Sequence, residues 1–158
     1  MDLDLSDGCV RLLAAASAGG VVGLNRDPAD KPIGVRTLAL VSLGAATVSV
    51  AGIQVQGMAE NPDALSRVVQ GIIQGVMAGI SCIGAGVILR NVETRNVEGL
   101  TTAATVWVSA ALAIACGPGA WRTIAIAIPL TLAMLLATGW IDGVTKRTNR
   151  NGDRGPLG

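Results

Sequence analysis

Five apolar stretches, separated by short polar loops, make up most of this chain. Their approximate bounds are 10–24, 35–56, 67–90, 100–116 and 121–141. The third has 22 residues without a charge between Arg67 and Arg90, which as a helix would span about 33 Å. Since the hydrocarbon core of a bilayer is about 30 Å thick, the pattern predicts an all-α membrane protein with about five transmembrane helices.

Glycines recur every fourth residue in the third stretch, at Gly71, Gly75 and Gly79. This spacing places them on one helix face, where another helix can approach closely, either from a partner protein or from a second copy. Gly19 and Gly23 give the first helix a similar face. The step at 84–86, with Gly84 and Gly86, favours either close helix packing or a local break in the helix.

Basic residues are distributed unequally between the two ends of the predicted spans. Three fall on one side and nine on the other: Arg11, Arg67 and Arg122 against Arg26, Lys31, Arg36, Arg90, Arg95, Lys146, Arg147, Arg150 and Arg154. The positive-inside rule then predicts an external amino terminus and a cytoplasmic carboxy terminus. We expect an acidic amino-terminal segment at 1–8, a transmembrane domain at 9–145 and a flexible basic tail at 146–158.

Composition narrows the function further. The chain has 158 residues and is 51% hydrophobic, and its 15% of charged residues compares with about 25% in soluble domains. It contains no histidine, and Cys9, Cys82 and Cys116 lie far apart without a CxxC spacing. We therefore expect no catalytic centre, no cofactor and no bound metal. A net charge of +1 gives no reason to expect nucleic-acid binding, so the expected surroundings are the lipid bilayer.

All eleven acidic residues fall in a loop, a terminus or a helix end. A magnesium pathway needs carboxylate or carbonyl ligands near the middle of the membrane, so this distribution argues against the chain alone acting as a cation pump. Gln70 and Gln74 are polar residues inside the third span. They favour hydrogen bonding to another helix, and lining a solute pathway is the alternative.

A polar cluster is predicted at the cytoplasmic mouth of the bundle. Asn25, Arg26 and Asp27 follow the first span, and Arg36 and Thr37 open the second. Together they could form a polar pocket. The alternative is that Arg26 and Arg36 only anchor helix ends at lipid headgroups.

The second cytoplasmic loop leads into the fourth span. Glu98 and Gly99 precede it, and Thr101 or Thr102 is the expected helix cap. Trp107, in the middle of this span, is expected to fill a gap between helices that are rich in small residues.

The order of several motifs resembles the MgtC/SapB family of bacterial inner-membrane proteins. The motifs are GGVVGLNRD, KPIGVRTLALVSLGA, SRVVQGI with GISCIGAGVILR, and VEGLTTAATVWVSAALAIACGPG, and the resemblance covers about 12–136. The family pattern carries onto Gly19, Gly23, Arg26, Gly34, Arg36, Thr37, Gly84, Gly86, Gly99, Thr101, Thr102 and Trp107. Two departures stand out: Asn25 occupies the position of a usual glutamate, and the span before Cys82 is about four residues longer than usual.

The resemblance implies a non-enzymatic inner-membrane protein that supports adaptation to low magnesium, to acid stress and to life inside host phagocytes. It further implies regulation of another membrane protein, such as the proton-translocating ATP synthase or a transporter. Within the family, the chain resembles the short, membrane-only branch. Two other functions stay open. One is a transporter or channel for magnesium or another small solute, and the other is a structural subunit of a larger complex whose partner supplies the missing charges. A homo-oligomer of this chain is a further expectation for its partners.

Overall fold

The computed structural model describes residues 5–24, 26, 33–54, 62–90 and 97–152. This part of the chain contains five helices and one short antiparallel ladder. Their bounds are α1 Leu5–Leu24, α2 Val35–Ile53, α3 Pro62–Val87, β1 Leu89–Arg90, β2 Val97–Glu98, α4 Leu100–Cys116 and α5 Trp121–Gly152. The predicted all-helical fold with five helices is therefore confirmed.

Three of these helices are long and apolar enough to cross a membrane: α1, α2 and the segment Asp63–Val87 of α3. The apolar parts of the other two, Leu100–Cys116 and Trp121–Ala137, are shorter. At about 1.5 Å of rise per residue, the 17 residues of α4 extend about 26 Å, somewhat less than a hydrocarbon core of about 30 Å. The orientation of the helices in the membrane stays a prediction.

Helices α1 and α2 form a hairpin whose close approach depends on two glycines. A Cβ atom added to Gly23 would lie 2.5 Å from the Cα atom of Val35, and one added to Gly19 would lie 2.5 Å from the carbonyl oxygen of Leu38. Both distances are far below a van der Waals contact. The two backbones can therefore touch only because these positions lack side chains.

Helix α4 lies at the centre of the bundle and contacts the other four helices. Its residues Val106, Ala110, Ala113 and Cys116 are completely buried. Such small side chains allow neighbouring helices to approach closely, and in lipid it is this dense packing that holds helices together.

Two serines of α2 also join it to α4 by hydrogen bonds. Ser42 Oγ donates to the carbonyl oxygen of Ser109 at 3.2 Å, and Ser49 Oγ donates to that of Ile114 at 3.0 Å. Both serines are buried. Interhelical bonds of this kind contribute about 0.6–2 kcal/mol each in a membrane protein, so they add to the packing of small residues.

Several helix ends differ from the predicted ones. Helix α1 begins at Leu5, so Asp7 and Gly8 of the predicted amino-terminal segment belong to the helix. Helix α3 begins at Pro62, before Arg67. Helix α5 continues to Gly152, beyond the expected end at 141 and through the first seven residues of the predicted tail. An α-helix tolerates polar residues where it leaves the apolar layer, so hydropathy alone places such ends too early. The flexibility of the tail stays a prediction.

The step at Gly84 and Gly86 is a continuous helix, because α3 runs unbroken to Val87. A Cβ atom added to Gly84 would lie 3.5 Å from Cβ of Ala103 in α4, an ordinary packing contact. One added to Gly86 would meet nothing within 4 Å among the described residues. The structure therefore agrees with close helix packing and not with a break in the helix. Gly84 makes the packing contact, with Ala103 of α4.

Candidate functional site

Arg26 is the most deeply buried charged residue that the structure describes. It follows the last turn of α1, where its backbone N–H donates to the carbonyl oxygen of Gly23 at 2.8 Å, and its exposed fraction is 3%. Its guanidinium donates three hydrogen bonds. Nε reaches the carbonyl oxygen of Ile33 at 3.2 Å, Nη1 reaches Thr105 Oγ1 at 2.9 Å, and Nη2 reaches Thr102 Oγ1.

The acceptors are positioned by the first two turns of α4. Thr102 and Thr105 are three residues apart, so they lie on the same helix face. The Thr105 hydroxyl donates its own proton to the carbonyl oxygen of Thr101 at 2.7 Å. Since a hydroxyl has one proton and two lone pairs, its oxygen remains free to accept from Arg26. The arrangement therefore accommodates a donor with a positive charge.

The electrostatic surroundings of Arg26 are unfavourable for its charge. Burial lowers the pKa of its guanidinium, although arginine stays protonated at any physiological pH. The group also lies at the amino-terminal end of α4, where the helix dipole is positive. Within the described ranges no carboxylate forms an ion pair with Arg26, so hydroxyl and carbonyl oxygens alone stabilise it there.

Of the other residues of the predicted polar mouth, the structure describes two, and both differ from Arg26 in being exposed. The side chains of Arg36 and Thr37 are exposed on α2. Asn25 and Asp27 lie outside the described residues, so the structure does not address the replacement of the usual glutamate. Headgroup anchoring does not describe Arg26, which is enclosed between helices. It remains compatible with the exposed Arg36.

The prediction that Thr101 or Thr102 caps α4 is wrong. The N-cap is Gly99, which makes no side-chain cap bond and has φ of +87°, a conformation that side chains rarely adopt. A Cβ atom there would also collide with the carbonyl oxygen of Val87. Helix α4 starts one residue after this turn, and Thr102 points to Arg26 instead. The backbone of Glu98 lies in β2, paired with Leu89, and Gly34 is the N-cap of α2.

Sequence reasoning missed Thr105 and the carbonyl oxygen of Ile33. The spacing of Thr102 and Thr105 was a usable signal, because two hydroxyls one turn apart at a helix start can bind one donor group. No sequence pattern marks a backbone carbonyl in a loop.

A second buried arginine lies at the opposite end of α1. The exposed fraction of Arg11 is 9%, and its guanidinium forms a salt bridge of 2.9 Å with Asp7, one turn earlier. Nη1 also donates to the carbonyl oxygen of Gly117, just past the end of α4. A cation is favourable at the carboxy-terminal end of a helix. Arg11 and Arg26 thus connect the two ends of α1 to the two ends of α4.

The predicted glycine face of α3 has no neighbour among the residues that the structure describes. Cβ atoms added to Gly71, Gly75 or Gly79 would meet no described atom within 4 Å. Gln70 and Gln74 are also exposed and make no hydrogen bond to another described residue. The inner side of α3 is apolar instead, with Ile72, Val76 and Ile80 half-buried or buried.

Trp107 does not fill a gap as expected, since 49% of its surface is exposed. It borders an apolar cavity of about 410 Å³ between α2, α3 and α4, together with Ile53, Ile72, Met77 and Pro118. In the part of the chain covered by the structure, no group of three His, Cys, Asp or Glu residues is placed to hold a metal ion.

The family model described as MgtC family matches residues 12–144 of this sequence. The chain belongs to the MgtC family. The match covers all of α2, α3 and α4 and includes Arg26, Thr102 and Thr105. MgtC-family proteins are membrane proteins, in agreement with the candidate spans described above.

Individual relatives agree with this assignment. The chain is 43% identical over 120 residues to protein SrpB of Synechococcus elongatus, a match that covers 71% of this chain and 64% of SrpB. It is 36% identical over 141 residues to protein MgtC of Salmonella typhimurium, covering 89% of this chain and 55% of that protein. The chain is also 36% identical over 123 residues to protein MgtC of Brucella abortus, a match that covers 78% of this chain and 48% of that protein.

The chain thus spans less than two thirds of the length of these MgtC-family relatives. No solved structure matches it.

Proposed function

We propose that this MgtC-family protein is a non-enzymatic protein of the bacterial inner membrane that regulates another membrane protein by direct helix contact. The regulation would support adaptation to low magnesium or to acid stress inside a host. The observation that carries the proposal is the open glycine line of α3, formed by Gly71, Gly75 and Gly79.

The glycine line differs from the other helix-packing glycines of the chain. Gly19 and Gly23 are covered by the backbone of α2, and Gly84 is covered by α4. The glycine line follows the same spacing rule but meets open space. In lipid, a row of glycines allows a second helix to approach until backbone atoms touch. Its exposure on a long apolar helix therefore supports contact with a helix outside this chain.

The partner and the cellular setting come from the family resemblance. A proton-translocating ATP synthase and a transporter are the two kinds of membrane protein that it suggests. The excess of basic residues in the predicted cytoplasmic loops supports an external amino terminus, with Arg26 on the cytoplasmic side.

The experiment is affinity co-purification from bacterial membranes, combined with growth at low magnesium. Gly75→Leu places a large side chain on the glycine line, and we expect both co-purification of the partner and growth to be lost. Gly44→Leu is the matched control, because Gly44 is also exposed and open but lies on α2. Equal behaviour of the two variants would contradict the proposal.

Transport of magnesium is the competing function. It would use the mouth formed by Asn25, Arg26, Asp27 and Arg36. The described side chains give it little support, because Arg26 is bonded between helices and Arg36 is exposed on the outside. Saturable magnesium flux into liposomes that hold only this protein, abolished in Arg36→Ala, would replace the regulatory proposal with this one.

A further inference from the structure

A second surface of α3 carries polar and charged residues outward. Its members follow one another at intervals of three or four residues and are all exposed. Five are polar or charged and two are small alanines; this polar seam consists of Asp63, Arg67, Gln70, Gln74, Ala78, Ser81 and Ala85. At about 100° per residue, the seam is centred roughly 100° from the glycine line around the helix. The two surfaces are therefore distinct, and the polar seam can be tested separately.

The direction of the polar seam is unusual for a membrane helix. Polar side chains within membrane spans almost always face the interior of the protein, because lipid offers no hydrogen-bond partner. In α3 the apolar residues Ile72, Val76 and Ile80 face the bundle instead, while Gln70 and Gln74 face away from it. The inverted arrangement indicates that protein, and not lipid, covers the seam.

The two glutamines are suited to pairing with their own copies. Neither makes a hydrogen bond to another described residue, whereas the Ser81 hydroxyl donates to the carbonyl oxygen of Met77 at 2.8 Å. A primary amide carries both donors and an acceptor, so two identical amides can bond to each other. The unsatisfied groups of the seam are thus complementary to themselves.

The charges at the start of the seam are also complementary to themselves. Asp63 and Arg67 have opposite charges and lie one turn apart on the same face. Within the chain, Arg67 Nε donates to the backbone carbonyl oxygen of Asp63 at 3.3 Å, and among described residues the carboxylate and the guanidinium form no ion pair. In two parallel copies in register, equal positions lie at the same height, so each Arg67 lies one helical turn, about 6 Å along the axis, from Asp63 of the other copy, and its long side chain can span that offset.

We infer that the polar seam is the interface between two copies of this chain, with their α3 helices parallel and in register. Copies inserted by the same route have the same orientation, so a two-fold axis between them lies along the membrane normal and makes the helices parallel. Such an axis sets Gln70 against Gln70 and Gln74 against Gln74. It also forms the Asp63–Arg67 contact twice, as a self-complementary interface requires. The inference is independent of the proposed function, whose contact surface is the glycine line.

Disulfide cross-linking in native membranes tests this interface. The background carries Cys9→Ser and Cys82→Ser, both at exposed positions, and retains the buried Cys116. Ala78→Cys and Ala85→Cys probe the seam without removing its amides. Leu40→Cys and Leu130→Cys are the controls, on α2 and α5, with exposed fractions of 62% and 63%. We expect covalent dimers at the two seam positions and none at the two controls.

Two outcomes of the cross-linking would overturn the interface. Seam cysteines that give no more dimer than the controls would mean that lipid covers the seam. Cross-links to a different protein, without a homodimer, would assign the surface to another partner.

A charge exchange tests the register. The fraction of dimers is measured by single-molecule photobleaching in vesicles that contain only this protein. Asp63→Arg and Arg67→Asp should each reduce it, and the double variant should restore it. Gln70→Leu and Gln74→Leu should each weaken association about three- to tenfold. A double variant as weak as the single ones would disprove the parallel register. Because no other protein is present, a failed Gly75→Leu co-purification leaves this result unaffected.

Discussion

Arg26 donates a hydrogen bond of 2.9 Å to Thr105, a residue 79 positions later in the chain. The bond joins the turn after α1 to the second turn of α4, and the neighbouring bond to Thr102 uses the same face of α4. Because the guanidinium is buried and keeps its charge, the packing of these two helices depends on oxygen atoms that accept from it.

We expect Thr105→Val to reduce the free energy of unfolding by about 1–3 kcal/mol, because it leaves a buried donor of Arg26 without its acceptor. Valine has nearly the same shape as threonine, so the change isolates the hydroxyl group. Thr47→Val is the matched control, since Thr47 is exposed and its one hydrogen bond among the described residues goes to Leu43 of its own helix. Unfolding by SDS in mixed micelles measures both. If Thr105→Val and Thr47→Val lost similar amounts of unfolding free energy, the Arg26–Thr105 bond would contribute little to stability.

Arg26→Lys should not preserve the site. A lysine keeps the charge, but its compact ammonium cannot reproduce the fork that reaches Thr102, Thr105 and the Ile33 carbonyl oxygen together. We expect a loss of stability comparable to that of Thr105→Val or larger. Combining Arg26→Lys with Thr105→Val should then cost less than the sum of the single effects, because the two residues interact. Additive losses in the same micelle assay would contradict a shared network.

The bounds of α4 were predictable from the sequence, whereas the start of α1 and the end of α5 were not. The difference has a physical reason in each case. Helix α4 is bounded by Gly99 and Gly117, and both limits are visible as glycine turns. Helix α1 begins earlier than its apolar stretch because Asp7 and Arg11 pair across one turn and stabilise a polar start. A hydropathy pattern does not reveal such a pair, because it counts both residues only as polar. The amino-terminal segment and the first span therefore merge.

The candidate site was predictable only in part. The sequence pointed to Arg26 and Thr102, but to different roles for them, since helix capping and bonding to a distant arginine leave the same local pattern. For α3, the spacing of Gly75 and its neighbours identified a packing face but not its neighbour. Which surface remains open depends on how α3 packs on α4, and that is a property of the tertiary structure.

The close approach of α1 and α2 predicts opposite effects for two glycine substitutions. Gly23→Ala places a methyl group 2.5 Å from Cα of Val35 and must displace the start of α2, so we expect a loss of about 1–3 kcal/mol. Gly44→Ala meets open space on an exposed helix face, where alanine favours the helix by about 0.5–1 kcal/mol. The same micelle unfolding assay compares them. If Gly23→Ala proved as harmless as Gly44→Ala, the hairpin could not be packed as described.

The three cysteines predict a pattern of thiol reactivity that reports on the packing of α4. Cys9 and Cys82 are exposed, whereas Cys116 is completely buried against the other helices and its thiol donates to the carbonyl oxygen of Leu112 at 3.4 Å. In detergent, N-ethylmaleimide should therefore add twice to the folded protein and a third time only on unfolding, as counted by mass spectrometry. Cys116→Ala should abolish the third addition, and the variants Cys9→Ser and Cys82→Ser should each remove one of the first two. Gly23→Ala should make the third addition faster, since a displaced α2 loosens the bundle around Cys116. Three additions at one common rate in the folded protein would be incompatible with α4 at the centre of the bundle.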